Sequence, residues 1–298
     1  MGGFNTILYY NRCVLGIVVL LLCAVYGVLA SIVCTLIGKQ QYSQYLTARC
    51  YSNAMKYIMG IDVKVIGEEN LKNLPYIVVS NHQSAMDILM LGRMFPPGCT
   101  ITAKKSLKYV PFLGWFMALS GTLFLDRTNR EKSVGTLNTG LAKVKENKRA
   151  LWIFPEGTRS YSINLEMLPF KKGAFHLAQQ GELPIVPVVV SNTSSIFSPK
   201  YNVFNRGTII VKVLKPISTE GLKKEDVGKF SEQVRETMVA ELKEVGYSDA
   251  FNETNLPPSV VELNGKIISA VKKDDPADVV TKENDDDKDK TTNATKEF

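Results

Sequence analysis

Two histidines occur in the 298 residues, and one stands where an α/β fold carries its chemistry. The apolar run PYIVVS leads into Asn81-His82-Gln83-Ser84-Ala85-Met86-Asp87, so His82 falls at a strand-to-helix turn. Asp87 follows five residues later, in the first turn of a helix that Ser84 can cap. Along a regular helix, five residues would rotate the two side chains about 140° apart. They meet only if His82 lies ahead of the helix and folds back over it. A carboxylate on one imidazole nitrogen fixes the tautomer and leaves the other lone pair to accept a proton. That pair is a general base for a hydroxyl group, and a turn histidine with a purely structural duty is its alternative. No nucleophile accompanies it: there is no G-x-S-x-G elbow, and no cysteine is near His82 in sequence. Direct attack by a substrate hydroxyl, without a covalent enzyme intermediate, is therefore expected. His176 sits in the apolar-faced segment KGAFHLAQQ, where packing explains it better than ligation, and no metal site is expected.

A second cluster, Phe154-Pro155-Glu156-Gly157-Thr158-Arg159-Ser160, follows the run LWIF. Glycine admits close backbone approach, Thr158 supplies a hydroxyl, and Arg159 offers a planar fork that matches phosphate oxygens. A capped turn with a surface ion pair is the plainer alternative. Lys104-Lys105 after TITA and Arg127 after LFLD would reach the same sheet edge. Four cations at three strand ends beside one His/Asp pair form an anion pocket.

Stepwise alternation of short β-branched runs and amphipathic stretches has to position these groups. Strands are expected over 62–66, 76–80, 100–103, 122–125, 151–154, 185–190 and 208–214, and helices over 85–94, 130–147, 172–180 and 225–245. Such alternation predicts an α/β domain, a mixed, largely parallel sheet flanked by helices, with chemistry at the strand C-termini.

Ahead of this domain, Cys13 to Gly38 contains no charged residue. About 20 helical residues already cross a hydrocarbon core of roughly 30 Å, so the run predicts a retained N-terminal membrane-anchoring helix able to span with tilt. It is too long for the apolar part of a signal peptide. Arg12 precedes it, while Lys39, Arg49 and Lys56 follow, which favours a cytosolic catalytic side. Residues 40–61 read equally as an interfacial amphipathic helix or as the first packing helix of the domain. Tyr109 to Leu125 is apolar but broken by Pro111 and two glycines, and is expected to be a buried or interfacial part of the domain. The expected segments are an anchor and interfacial helix over 1–61, a catalytic domain over 62–247 and a charged, disordered tail over 248–298. From Asp249 onward seven lysines face twelve acids; the preceding residues hold 29 bases and 17 acids of the chain's 36 and 29. The folded part is more basic than the net +7 suggests, which points to an anionic partner. Recognisable nucleic-acid motifs are absent, so a nucleic-acid partner is not expected. Five cysteines without paired spacing form no disulfide framework.

NHQSAMD, GTLFLDR, FPEGTRS and IVPVVV stand in the order and at the spacings of the four blocks of the glycerolipid acyltransferase family. TAKKSLKYVPFLGWFMALSG resembles the version found in 1-acyl-sn-glycerol-3-phosphate acyltransferases of fungal type. The resemblance runs from the membrane segment to about Tyr247. It implies that His82 is the general base and Asp87 its orienting partner, acting on the sn-2 hydroxyl of lysophosphatidic acid with acyl-CoA as donor to give phosphatidic acid. It implies that Glu156, Gly157, Thr158 and Arg159 hold the glycerol phosphate, with Lys105 and Arg127 as further phosphate contacts and Lys104 a lesser candidate. It places Pro187 on the acyl-donor side, in a packing role, and calls for no cofactor, acyl-CoA being a substrate. The implied location is the endoplasmic reticulum membrane, shared with lipid droplets. Glycerol 3-phosphate or another lysophospholipid is the alternative acceptor, and a non-catalytic protein that binds anionic lipid the alternative class.

Overall fold

The structure, a computed structural model, describes residues 2–126, 128–251 and 255–263. The chain as far as Asn255 is one compact unit, and Leu256 onward belongs to another. In chain order the first unit contains α1 (Gly2–Leu36), α2 (Ser43–Ala54), β1 (Ile61–Ile66), β2 (Tyr76–Ser80), α3 (Asp87–Met94) and β3 (Cys99–Lys104). There follow α4 (Leu113–Leu119), β4 (Leu123–Leu125), α5 (Arg130–Glu146), β5 (Ala150–Ile153) and α6 (Gly173–Gly181). β6 (Ile185–Val190), β7 (Phe197–Ser198), β8 (Val203–Phe204), β9 (Gly207–Val213), α7 (Val227–Val245) and β10 (Asp249–Ala250) complete it.

Seven strands lie in the order β1-β9-β6-β2-β5-β3-β4, and β10 pairs with β9. β2 is parallel to both β5 and β6, β3 to β5 and β4, and β1 to β9; only β6–β9 and β9–β10 are antiparallel. The expected mixed, largely parallel sheet is therefore present. The central strands YIVVS, ALWI and IVPVVV are buried at every position, as a sheet covered on both faces requires. β9 alternates buried and half-buried residues, the pattern of a strand with one covered face. Two apolar layers sandwich the sheet. On one side Tyr76, Val78, Trp152, Val186 and Val188 meet Met55, Met59, Leu89 and Met90. On the other Ile77, Val79, Leu151, Ile153 and Ile185 meet Phe175, Val234, Met238 and Leu242. Each such side chain contributes about 1.5–3 kcal/mol on burial. α5 starts where the Asn129 side chain accepts from the Lys132 N–H at 2.9 Å, an N-cap.

The 33-residue, largely apolar stretch Phe4–Leu36 of α1 is long enough to cross a bilayer. One face of α1 is nevertheless committed to the domain. Tyr9, Val19, Cys23, Ala24, Ser31 and Cys34 are buried, while Phe4, Val14, Leu22, Leu29 and Leu36 are exposed along the other side. Arg12 donates to the Met59 carbonyl at 2.6 Å and lies over the Phe204 ring. At Gly27 a Cβ would come within 2.7 Å of Thr47 and 2.8 Å of Phe116, so α1 touches α2 and α4 backbone-close. The expected anchoring helix is thus one whose second face packs on the domain. α2 buries Ser43, Gln44, Thr47, Tyr51 and Ser52, and its packing role is realised. The 109–125 segment folds as the seven-residue α4 and short β4, far too short to span. The tail expected over 248–298 starts later than that: Ser248 is buried and Asp249–Ala250 pair with β9, while residues beyond 263 lie outside the described residues.

Candidate active site

β2 and β5 are neighbours and parallel, so the loops after their C-termini emerge side by side. The loop after β2 carries His82 ahead of α3, which begins at Asp87, two residues later than its apolar pattern suggested. The imidazole folds back, and its Nδ1 lies 2.6 Å from Asp87 Oδ2. The same oxygen accepts from the Gln83 N–H at 2.9 Å and the Ser84 N–H at 3.2 Å, while Oδ1 is buried with no hydrogen-bond partner. Asp87 is 2% exposed and His82 15%. Three donors on one buried oxygen fix the carboxylate and keep it aimed at the ring. Nδ1–H therefore donates to Asp87, and Nε2 is left as the proton acceptor. Ser84 Oγ accepts from the Met86 N–H at 3.1 Å and contacts Thr193 Oγ1 at 2.9 Å. It thus shapes the turn rather than capping α3.

Supports that the sequence did not announce fix this turn. The Phe154 ring stacks on His82 with centroids 4.2 Å apart. The Asn81 amide donates to the Val190 carbonyl at 2.9 Å and accepts from the Val190 N–H at 2.8 Å. The Gln83 carbonyl oxygen Oε1 accepts from the Thr193 N–H at 2.9 Å. Their one signal in the sequence is adjacency to the histidine.

Glu156 lies behind the turn instead of in front of it. Its Oε1 accepts from the His82 N–H at 2.6 Å and its Oε2 from the Leu168 N–H at 2.9 Å. It is 4% exposed, and burial pushes its pKa up to about 7 despite those two donors. Of the residues expected to hold the glycerol phosphate, Glu156 spends both oxygens on main-chain donors and so braces the two loops. Two main-chain bonds join the loops, Ser160 N–H to His82 O and Tyr161 N–H to Gln83 O, each 2.9 Å. Gly157 takes φ +71° at the end of the Phe154–Gly157 turn, with the Lys171 chain where a Cβ would stand.

A cavity of about 570 Å³ opens in front of the dyad. His82, Asp87, Thr158, Arg159 and Lys104 line its polar part. Leu20, Ala24, Leu91, Ile101 and Phe116 line its apolar part, drawing α1, α3, β3 and α4 into one wall. Arg159 reaches Tyr161 Oη at 3.4 Å, a loose contact that leaves its fork available. Lys104, the lesser candidate, lines the cavity; Lys105 does not. Lys105 instead pairs with Asp126 at 3.1 Å, which raises its pKa. Asp126 in turn is held down to about 2 by the Thr128 hydroxyl and then by Lys105. Pro187 is buried in β6 opposite Val79 and is not among the lining residues. Arg127 lies outside the described residues. His176, half-buried on α6, is likewise away from the cavity. Among the described residues no three His, Cys, Asp or Glu side chains converge as metal ligands do.

Comparison with known proteins agrees with this geometry. The Acyltransferase family profile matches residues 62–191, which span β1 to the end of β6 and so include both loops. A 1-acyl-sn-glycerol-3-phosphate acyltransferase of Saccharomyces cerevisiae is 62% identical over 289 residues, 96% of this chain and 95% of that protein. The human 1-acyl-sn-glycerol-3-phosphate acyltransferase alpha is 36% identical over 74% of this chain and 77% of its own length. The crystal structure of the Thermotoga maritima 1-acyl-sn-glycerophosphate acyltransferase superposes with a TM-score of 0.62 at 27% identity, covering 80% of this chain and 95% of that one. With 62% identity to the yeast protein across nearly the whole length of both chains, the chain belongs to the 1-acyl-sn-glycerol-3-phosphate acyltransferase family.

Proposed function

We propose that the chain transfers a fatty acyl group from acyl-CoA to the sn-2 hydroxyl of lysophosphatidic acid, giving phosphatidic acid. The observation that carries this is the oriented His82–Asp87 pair at the polar end of an otherwise apolar cavity. Nε2 of His82 takes the hydroxyl proton as the oxygen attacks the thioester carbonyl carbon. The carbon–sulfur bond then breaks, and the departing CoA sulfur receives the proton from the imidazolium. A thioester is already activated, so positioning plus a base suffices without a protein nucleophile. The step calls on no metal or prosthetic group. Arg159, with Thr158 and Lys104, receives the acceptor phosphate, and the apolar wall receives an acyl chain. That wall favours an acceptor already bearing a chain over glycerol 3-phosphate. The exposed stripe of α1 seats the N-terminal segment at the endoplasmic reticulum membrane, or at the lipid monolayer of droplets, with the 62–247 catalytic domain on the cytosolic side.

Purified full-length protein, labelled acyl-CoA and a panel of acceptors test the assignment. Lysophosphatidate is expected to give the highest kcat/KM, and a preference for glycerol 3-phosphate would overturn it. His82→Ala is expected to lower kcat by about 10²–10⁴ while lipid binding persists. Undiminished turnover would leave the dyad without a role, and absence of turnover in the native protein would favour a lipid-binding protein.

A further inference from the structure

α4, LGWFMAL, has no polar residue on any side. A helix apolar all round belongs in a core or in lipid. Its inner residues Leu113, Phe116 and Met117 line the catalytic cavity. Its outer side, with the preceding turn, exposes Tyr109, Phe112, Trp115 and Leu119, and Trp115 is 54% exposed. Phe112 and Trp115 meet edge to face at 5.1 Å, and Phe112 is held at φ +60°, a backbone region that costs a non-glycine residue. Exposed Lys104 and Lys108 flank this ridge. The helix that carries the ridge packs against α1 and the turn after it. Phe116 meets α1 at Gly27, and the Gln40 side chain just beyond α1 donates to the Leu119 carbonyl at 2.7 Å.

We propose that residues 104–119 are a second membrane-seated element. Tyr109, Phe112, Trp115 and Leu119 enter the headgroup–acyl boundary of an anionic leaflet, and Lys108 meets its phosphates. α4 is then the partition between bilayer and cavity, and an acyl chain passes sideways beneath it without crossing water. This rests on the reading of α1 as a membrane anchor, and the test separates the two.

Full-length protein is bound to vesicles of phosphatidylcholine and phosphatidate whose acyl chains carry bromine, a contact quencher of indole. The chain has two tryptophans, and Trp152 is fully buried in the core, so the difference between native protein and Trp115→Phe isolates Trp115. The difference signal is expected to be quenched by bromolipid and shielded from aqueous acrylamide. Vesicle-bound chain with Trp115 open to acrylamide and untouched by bromolipid overturns this proposal alone. Chain that fails to float with vesicles overturns the anchor reading and this proposal with it. In the doubly substituted Phe112→Ser, Trp115→Ser protein, the apparent KM for long-chain lysophosphatidate in vesicles is expected to rise several-fold. That for a short-chain, monomeric lysophosphatidate is expected to stay unchanged. Equal effects on both acceptors, or none, would refute lateral entry.

Discussion

Glu156 has its charge set by burial, and that makes it testable through pH. Folded, it titrates near 7; unfolded, at its ordinary 4.5. Between those values the folded chain keeps a proton that the unfolded chain has released. Stability therefore falls as pH rises from about 4.5 to about 7 and levels off above. The contribution is on the order of 3 kcal/mol. Glu156→Gln removes the titration but sets an amide N–H₂ against one main-chain donor. The variant is expected to melt lower at pH 5, to show a flatter melting-temperature profile from pH 5 to 7, and to lose activity as the His82 N–H loses its acceptor. A profile as steep as the native one would remove Glu156 as the titrating group. Arg159 makes the complementary case, since its fork is not consumed by the protein. Arg159→Ala is expected to raise the apparent KM for lysophosphatidate about tenfold to a hundredfold and that for acyl-CoA far less. Steady-state kinetics with each substrate varied in turn decides it, and equal effects would move Arg159 to the donor side.

Elements built from periodic apolar runs were legible in the sequence, and elements held by polar contacts were not. β2, β6 and β9, and helices α5, α6 and α7, lie within two residues of the ranges their patterns predict, because buried strands and one-sided helices both write a period. α2 was ambiguous because its buried face is made of Ser43, Gln44, Thr47 and Ser52. The Gln44 amide nitrogen donates to the Ser120 carbonyl and the Thr122 hydroxyl, partners that no local window contains. The same holds within the site. His82 and Asp87 could be paired from spacing and turn chemistry, whereas the inward turn of Glu156 and the ion pair that occupies Lys105 depend on long-range contacts. The docking of α1 was hidden by its own hydropathy, since lipid and protein core select the same residues. Gly27 marks that docking. Gly27→Leu is expected to cost about 1–3 kcal/mol by overpacking against Thr47 and Phe116, and to lower activity as α1 leaves the cavity wall. Thermal melts paired with activity measurements check this, and an unchanged melt would show that α1 and α4 part freely.

Taken as a whole molecule, anchor and enzyme share one cavity. Leu20, Cys23 and Ala24 of α1 are part of its lining, so the helix long and apolar enough to cross a bilayer also shapes the cavity. Removing residues 1–36 is expected to give a protein that leaves the membrane and also fails on a soluble short-chain acceptor offered in detergent. Full activity on that acceptor would reduce α1 to a tether. The basic balance ahead of Asp249 gains meaning on this scale too: Arg159 and Lys104 face the cavity, and Lys104 and Lys108 also border the outer ridge of α4.

The two bonds from Ser160 and Tyr161 to the carbonyls of His82 and Gln83 run main chain to main chain. Side-chain replacement leaves both rungs intact, so an alanine scan of 158–161 would not touch either of them. The mechanical debt that the histidine loop owes to the arginine loop would stay invisible to it. Proline at 160, which deletes a donor and nothing else of the rung, is the substitution that would bring it into view.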